Sequence, residues 1–244
     1  MGLSLFARLR GISFVAWLGR REVGLIAALF VAAALVLGFG LLADEVVEGD
    51  TADFDHAVAS AFRSAGDSND PIGPVWLEEV GRDVTSLGSF AFLGFLSLAV
   101  ASYLLLIRQV ALAALMAVAV LGGMAISSLL KVGFDRPRPD VPHLARVFTA
   151  SFPSGHAMLS AIVFLTLGAL LARVSPDRRV KTYFVGLAVF LTVAVGVSRV
   201  YLGVHYASDV LAGWCVGAAW SLLCWTGALW LQRGKSDPPA SSDG

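Results

Sequence analysis

VGLIAALFVAAALVLGFGLLA fills residues 23–43, 21 consecutive positions without a charged side chain. A bilayer core takes about 20 apolar residues in helical form, so this run is long enough to cross one. Five more apolar runs follow, at 86–107, 109–130, 155–172, 182–198 and 210–231. The expected fold is an all-α integral membrane protein, a bundle of six transmembrane helices. The fifth run is the shortest, and Lys181 and Arg199 at its ends are long enough to snorkel toward headgroups. The first run exceeds the core of a cleavable signal peptide, about 7–15 residues. No small-residue cleavage site precedes Asp44-Glu45, so it is expected to stay as a helix in spite of the preceding Arg20-Arg21.

The rest of the composition agrees. Among 244 residues, 57% are hydrophobic and 15% charged, with mean hydropathy +0.76. The 18 Lys+Arg balance 18 Asp+Glu, which excludes the basic stripe of a nucleic-acid binder. Cys215 and Cys224 are nine residues apart in one helical run, on opposite faces, and cannot pair with each other there.

Orientation follows from the basic residues. Arg8, Arg10, Arg20, Arg21, Arg108, Arg173, Arg178, Arg179, Lys181, Arg233 and Lys235, 11 of the 18, fall before the first run, in alternate connections, or after the last. The 43–85 connection holds eleven acids against Arg63 and Arg82. Both termini are expected in the cytoplasm, with 43–85, 131–154 and 199–209 on the outer, periplasmic side of a bacterial inner membrane. The organisation is then a cytoplasmic segment 1–22, a six-helix domain 23–232 containing an outer interfacial segment 43–85 and functional segments within 131–209, and a cytoplasmic tail 233–244. In 43–85, Phe54, Val58, Ala61 and Phe62, then Val75, Trp76, Leu77 and Val80 after Pro71-Ile72-Gly73-Pro74, predict two short amphipathic helices at the interface. They suit either a cap on the bundle or a side entrance for lipid.

Topology does not account for Lys131, Arg136, Arg138, Arg146 and Arg199 on the outer side. Against them stand Asp135, Asp140 and Asp209, so the surplus is positive and suits an anion such as phosphate. Three segments supply it. In Lys131-Val132-Gly133-Phe134-Asp135-Arg136-Pro137-Arg138-Pro139 the prolines stop a helix and hold the chain extended. Ser151-Phe152-Pro153-Ser154-Gly155-His156 opens the fourth helix, whose free N–H groups favour an anion. Ser198 to Asp209 reverses tightly into the sixth. There His205 and Asp209 are four apart and share a face. A carboxylate can fix the imidazole tautomer and leave the other nitrogen free for attack. The helix N-terminus opposes protonation of His205 while Asp209 favours it. His156, at the same depth, can protonate a leaving oxygen.

The pattern Lys131-x6-Arg138-Pro139, Pro153-Ser154-Gly155-His156 and Ser198-Arg199-x5-His205-x3-Asp209 resembles, without gaps, the three-part signature of the type-2 phosphatidic acid phosphatase superfamily. The resemblance covers about 131–230. It implies metal-independent hydrolysis of a phosphate ester or anhydride, with no cofactor. By residue it implies phosphate binding by Lys131, Arg138, Arg199, Ser154 and the Gly155 amide, with His156 as acid, His205 as nucleophile and Asp209 as its orienter. Arg136 is off the motif positions and stands as an auxiliary contact. The implied partners are a lipid phosphate (undecaprenyl diphosphate, phosphatidylglycerophosphate, phosphatidic acid or a lipid A phosphate) and membrane lipids, with no nucleic acid. Gly213-x3-Gly217 suits a homodimer face or close packing inside one bundle, as Gly122 and Gly123 suit helix packing. Rival readings are a haloperoxidase-like activity on the same cradle, a metal site of His156, His205 and Asp209, and a non-catalytic anionic-lipid binder or transport component.

Overall fold

A computed structural model describes residues 20–64, 66–139 and 150–233. Arg8, Arg10, Asp140, Arg146, Lys235 and nearly all of the two flanking segments lie outside the described residues. The described chain forms α1 (Arg20–Glu48), α2 (Ala52–Ala61), β1 (Arg63–Ser64), β2 (Asp67–Pro71), α3 (Val75–Ser86), α4 (Phe90–Leu106), α5 (Val110–Gly133), α6 (Gly155–Val174), α7 (Arg178–Tyr201) and α8 (Ala207–Arg233). Helices α1, α5, α6, α7 and α8 are each long and apolar enough to cross a membrane, and α3 with α4 makes a sixth span bent by 46°. Five of the expected runs are these five helices, and the second, 86–107, is α4, which passes as a span together with α3.

Differences lie at the ends. The expected start of the second run at 86 falls on the break, because Ser89 caps a new helix there, its hydroxyl accepting from Phe92 N–H at 3.2 Å. The fifth run is not short: Asp177 accepts from Arg179 N–H at 2.7 Å, starting α7 at Arg178. Arg199 does not snorkel, being only 4% exposed and turned into the bundle. The two short helices expected in 43–85 are α2 and α3, and α3 continues into α4 across the break. Between α2 and α3 runs an antiparallel ribbon, β1–β2, that the polar sequence Asp67-Ser68-Asn69-Asp70 did not announce. It is fastened over the end of α7: Arg63 Nη1 donates to Tyr201 C=O at 2.8 Å, and Tyr201 Oη donates to Ile72 C=O at 3.0 Å.

In lipid, apolar burial alone does not drive helix to helix, so small residues and interhelical hydrogen bonds must do so. Helix α6 is the central one, with Ala157, Met158, Ala161, Ile162 and Val163 fully buried among α5, α7 and α8. Helix α8 lies against it at Gly213 and Gly217, where an added Cβ would come within 2.7 Å of Ser154 C=O and 2.5 Å of Met158 C=O. That pair therefore belongs to internal packing and not to a homodimer face. Gly122 likewise accommodates Trp220, whose indole donates to Ala119 C=O at 2.9 Å. Cys215 and Cys224 are both free thiols.

Gly217→Ala should destabilise the protein by about 1–3 kcal/mol, as overpacking of a tight contact does. Gly94→Ala, where nothing lies within 4 Å of the added methyl, should leave stability nearly unchanged. Thermal unfolding of both variants in detergent checks the contrast.

Candidate active site

Local chemistry sets each of the three segments. Helix α7 ends in a Schellman motif: Gly203 N–H reaches Val200 C=O at 3.0 Å and Val204 N–H reaches Arg199 C=O at 3.1 Å. Gly203 takes φ 69°, left-handed backbone that glycine enters without steric cost. The reversal turns the chain back at once, and His205 lands buried between α7 and α8. Backbone bonds join the segments: Ser151 N–H to Arg136 C=O and Ser154 N–H to Asp209 C=O, both at 2.9 Å. From the side, Phe152 packs on Phe134 at 5.0 Å and on Phe39 of α1 at 6.0 Å between ring centroids.

Most of the expected residues meet. Arg138 Nη1 donates to Val204 C=O at 2.6 Å and lies 3.2 Å from His205 Nε2. An arginine only donates, so Nε2 carries a lone pair and the proton of neutral His205 sits on Nδ1. Lys131 Nζ donates to Ala150 C=O at 3.1 Å, and its stem passes Gly155 at the head of α6. Arg199 Nη1 donates to Thr85 Oγ1 at 3.1 Å, drawing α3 into the site. His156 lies edge-on to Phe90 and within electrostatic reach of Arg199, His205, Lys131 and Arg138. Gly88, in the α3–α4 break, lies beside it: an added Cβ there would be 3.5 Å from the His156 ring and 2.4 Å from Val195 Cγ1, so only the latter contact demands glycine.

Two buried polar atoms in these segments have no partner among the described residues: Ser154 Oγ, which leaves its own helix uncapped, and Arg199 Nε. Leaving such a group unsatisfied costs about 1–3 kcal/mol. Together with Lys131, Arg138 and the free N–H groups opening α6, they form a donor set of the kind an oxyanion requires.

Asp209 is more heavily engaged than the four-residue spacing suggests. Its Oδ2 accepts from Ser151 Oγ at 2.5 Å and from Tyr206 N–H at 2.9 Å, while His205 Nδ1 stands at 3.4 Å. Ser151 Oγ is also 3.4 Å from that nitrogen, so hydroxyl and carboxylate face the ring together. Burial dominates the electrostatics of His205: it lowers the pKa from 6.5 to about 4 despite Asp209, with Arg199 and Arg138 acting in the same direction as burial. The expected balance between Asp209 and the helix end is therefore decided by a third influence, desolvation.

Arg136 differs from the auxiliary phosphate contact expected of it. Nη1 donates to Asp209 Oδ1 and Ser208 Oγ, both at 2.7 Å, and Nη2 to Asp55 Oδ2 at 2.8 Å and Thr51 Oγ1 at 3.2 Å. Its guanidinium stacks on Tyr206 at 4.4 Å. Burial disfavours the cation, but Asp55 and Asp209 outweigh burial and its pKa is raised. Asp55, Thr85, Ser151 and Tyr206 were missed as site residues. Only Asp55 left a signal: with Val58, Ala59 and Phe62 it falls on one apolar stripe of α2, a carboxylate where a hydrophobic residue belongs.

The family model described as PAP2 superfamily matches residues 110–233. Phosphatidylglycerophosphatase B of Bacillus subtilis is 33% identical over 164 residues, 66% of this chain and 80% of that protein. Lipid A 1-phosphatase of Rhizobium johnstonii is 34% identical over 108 residues, 40% of each chain. The crystal structure of a transmembrane PAP2-type phosphatidylglycerolphosphate phosphatase from Bacillus subtilis superposes with TM-score 0.76 at 29% identity, covering 84% of this chain and 98% of that one. With the gapless motifs gathered at one end of such a bundle, the chain belongs to the PAP2 superfamily.

Proposed function

We propose that this PAP2-superfamily phosphatase hydrolyses the phosphate monoester or diphosphate head of a membrane lipid through a phosphohistidine on His205. One observation carries the reading: the Arg138 guanidinium meets the lone-pair nitrogen of a buried, neutral histidine. A phosphate held by that arginine would stand directly before the nucleophile.

His205 Nε2 attacks phosphorus while Lys131, Arg138, Arg199, Ser154 and the Gly155 amide take the equatorial oxygens. The bond from phosphorus to the lipid oxygen breaks, and His156 delivers a proton to that oxygen. Ser151 and Asp209 hold the Nδ1 proton and stabilise the imidazolium. Neutral His156 then takes a proton from water, which attacks phosphorus; the bond from phosphorus to His205 Nε2 breaks, its electron pair returns to that nitrogen, and inorganic phosphate is released. Positive charge and positioning are what phosphoryl transfer mainly needs, and side chains supply both here without a metal ion.

A lipid substrate is supported by an apolar groove of about 300 Å³ between α4, α6 and α7, which runs from Leu87 at the α3–α4 break past Phe92, Leu96, Phe164, Leu187 and Leu191. Phosphatidylglycerophosphate and lipid A, for which the relatives above are named, join undecaprenyl diphosphate and phosphatidic acid as the panel to assay. Phosphate release should persist in chelator and be inhibited by vanadate, which resembles the five-coordinate transition state. His205→Ala should abolish release from every substrate. His156→Ala should lose about 10²–10⁴-fold on alkyl phosphates and less on aryl phosphates. Rapid quench of His156→Ala with labelled phosphate, followed by alkaline denaturation, should leave label on the His205 peptide. Label elsewhere, or chelator sensitivity reversed by a divalent ion, would overturn the mechanism.

A pH prediction follows from the burial of His205. Below its pKa of about 4 the imidazole is protonated and loses its lone pair; above it the nucleophile is ready. The acid limb of kcat/KM should therefore fall near pH 4 and not near 6.5, after allowance for the substrate phosphate's own ionisation near pH 6.

Membrane orientation belongs to the same proposal. The basic-residue asymmetry supports both termini in the cytoplasm of a bacterial inner-membrane protein, with the unit 23–232 opening its site outward between the flanking segments 1–22 and 233–244. A reporter fused after Gly244 should read cytoplasm, and a cysteine placed in 43–85 should be labelled from outside. Labelling only from the cytoplasmic side would reverse the orientation.

A further inference from the structure

Helix α8 carries Asp209 and begins in an unusual way. Tyr206, the residue before it, has no side-chain oxygen that can fold back on the first turn as Ser, Thr or Asp would. One half of a capping box is nevertheless present, because Asp209 Oδ2 accepts from Tyr206 N–H at 2.9 Å. The other half comes from far away in the chain. Asp55 Oδ1 accepts from Ser208 N–H at 2.9 Å, and Asp55 Oδ2 accepts from Ser208 Oγ at 2.6 Å. The same Oδ2 accepts from Arg136 Nη2, whose companion Nη1 holds Asp209 Oδ1. Asp55 is 1% exposed, on an interfacial helix outside the six spans.

We propose that Asp55 is a positioning residue of the phosphatase reaction: through Ser208 and Arg136 it sets the orientation of Asp209, and hence of the Nδ1 side of His205. The inference rests on the phosphatase reading above. Asp55 touches none of the groups assigned to the phosphate. Its loss should free Ser208 N–H and leave Arg136 Nη2 with Thr51 alone, so that the guanidinium, held at Nη1 by Asp209 and Ser208, shifts and turns Asp209 away from Ser151 and the imidazole. Each consequence falls on the nucleophile and not on the cradle. The cap also ties α2 to the catalytic loop, so the interfacial segment 43–85 serves the site directly.

The test uses full-length protein in detergent, with Asp55→Ala and the isosteric Asp55→Asn, each alone and combined with Asp209→Asn. Turnover on phosphatidic acid should fall on the order of 10²-fold in Asp55→Ala, the scale on which a small misplacement of a reacting group is felt. KM and the inhibition constant of inorganic phosphate should stay within about 3-fold, because the cradle is intact. Inhibition by vanadate, which needs the aligned nucleophile, should weaken in parallel with kcat. In the Asp209→Asn background, removing Asp55 should cost little more, since it acts through Asp209. Asp55→Glu should recover part of the lost turnover. Wild-type kcat in Asp55→Asn, a loss that adds fully to that of Asp209→Asn, or a weakening of phosphate and vanadate alike would overturn the inference; should Asp55→Ala fail to fold, Asp55→Asn decides. Wild-type protein that releases no phosphate from any lipid would sink the phosphatase reading first, whereas an active wild type with unaffected Asp55 variants sinks this inference alone.

Discussion

Arg136 between Asp55 and Asp209 is the interaction on which the architecture of the site depends. A guanidinium buried to this degree is tolerable only where its donors are matched, and a fork between two carboxylates matches them. The consequence for function is separation of charge. Asp209 takes its direct ion pair from Arg136, while Arg138 Nη1 lies on the lone-pair side of His205. The site thus has a carboxylate end, where a proton position is fixed, and a cationic end, where a phosphate would lie. Removing one partner from such a buried group leaves an uncompensated charge, which costs about 3–5 kcal/mol.

The bundle solves a related problem for backbone and shape. Helix α6 opens with its N-terminus facing the cations, and α8 must come close enough for Asp209 C=O to accept from Ser154 N–H at 2.9 Å. Gly213 and Gly217 make that approach available by removing the Cβ atoms that would strike the carbonyls of Ser154 and Met158. Packing and chemistry are one constraint here: the small residues that hold two helices together in lipid also set the distance between two parts of the site. The break between α3 and α4 adds a third element, since it carries Thr85 to Arg199 and Gly88 to His156.

Much of the fold was legible because its signals are local. A run such as 109–130 declares a span by length and hydropathy alone, and Gly203 just past the last turn of α7 declares a stop. His205 and Asp209 declare a shared face by a spacing of four. Helix ends were less legible where capping decided them, as at Asp177 and Ser89, because one hydrogen bond moves a boundary by several residues. The β1–β2 ribbon was not legible: its polar sequence has little strand preference of its own and is fastened by Arg63 and Tyr201, 138 positions apart.

The sequence by itself determined that the chain holds runs long and apolar enough to span a membrane, because length and hydropathy are written along the chain, and it carried three motifs that resemble a family signature. Only the tertiary structure decided that Arg136 serves Asp55 and Asp209 and not the ligand, that Ser151 shares the imidazole with Asp209, and that desolvation outweighs both the carboxylate and the helix end at His205. Asp55 and Arg136 are 81 residues apart. Their meeting depends on where an interfacial helix docks, and the strength of a charge interaction depends on how much water that docking excludes; neither quantity is written in any local stretch of sequence.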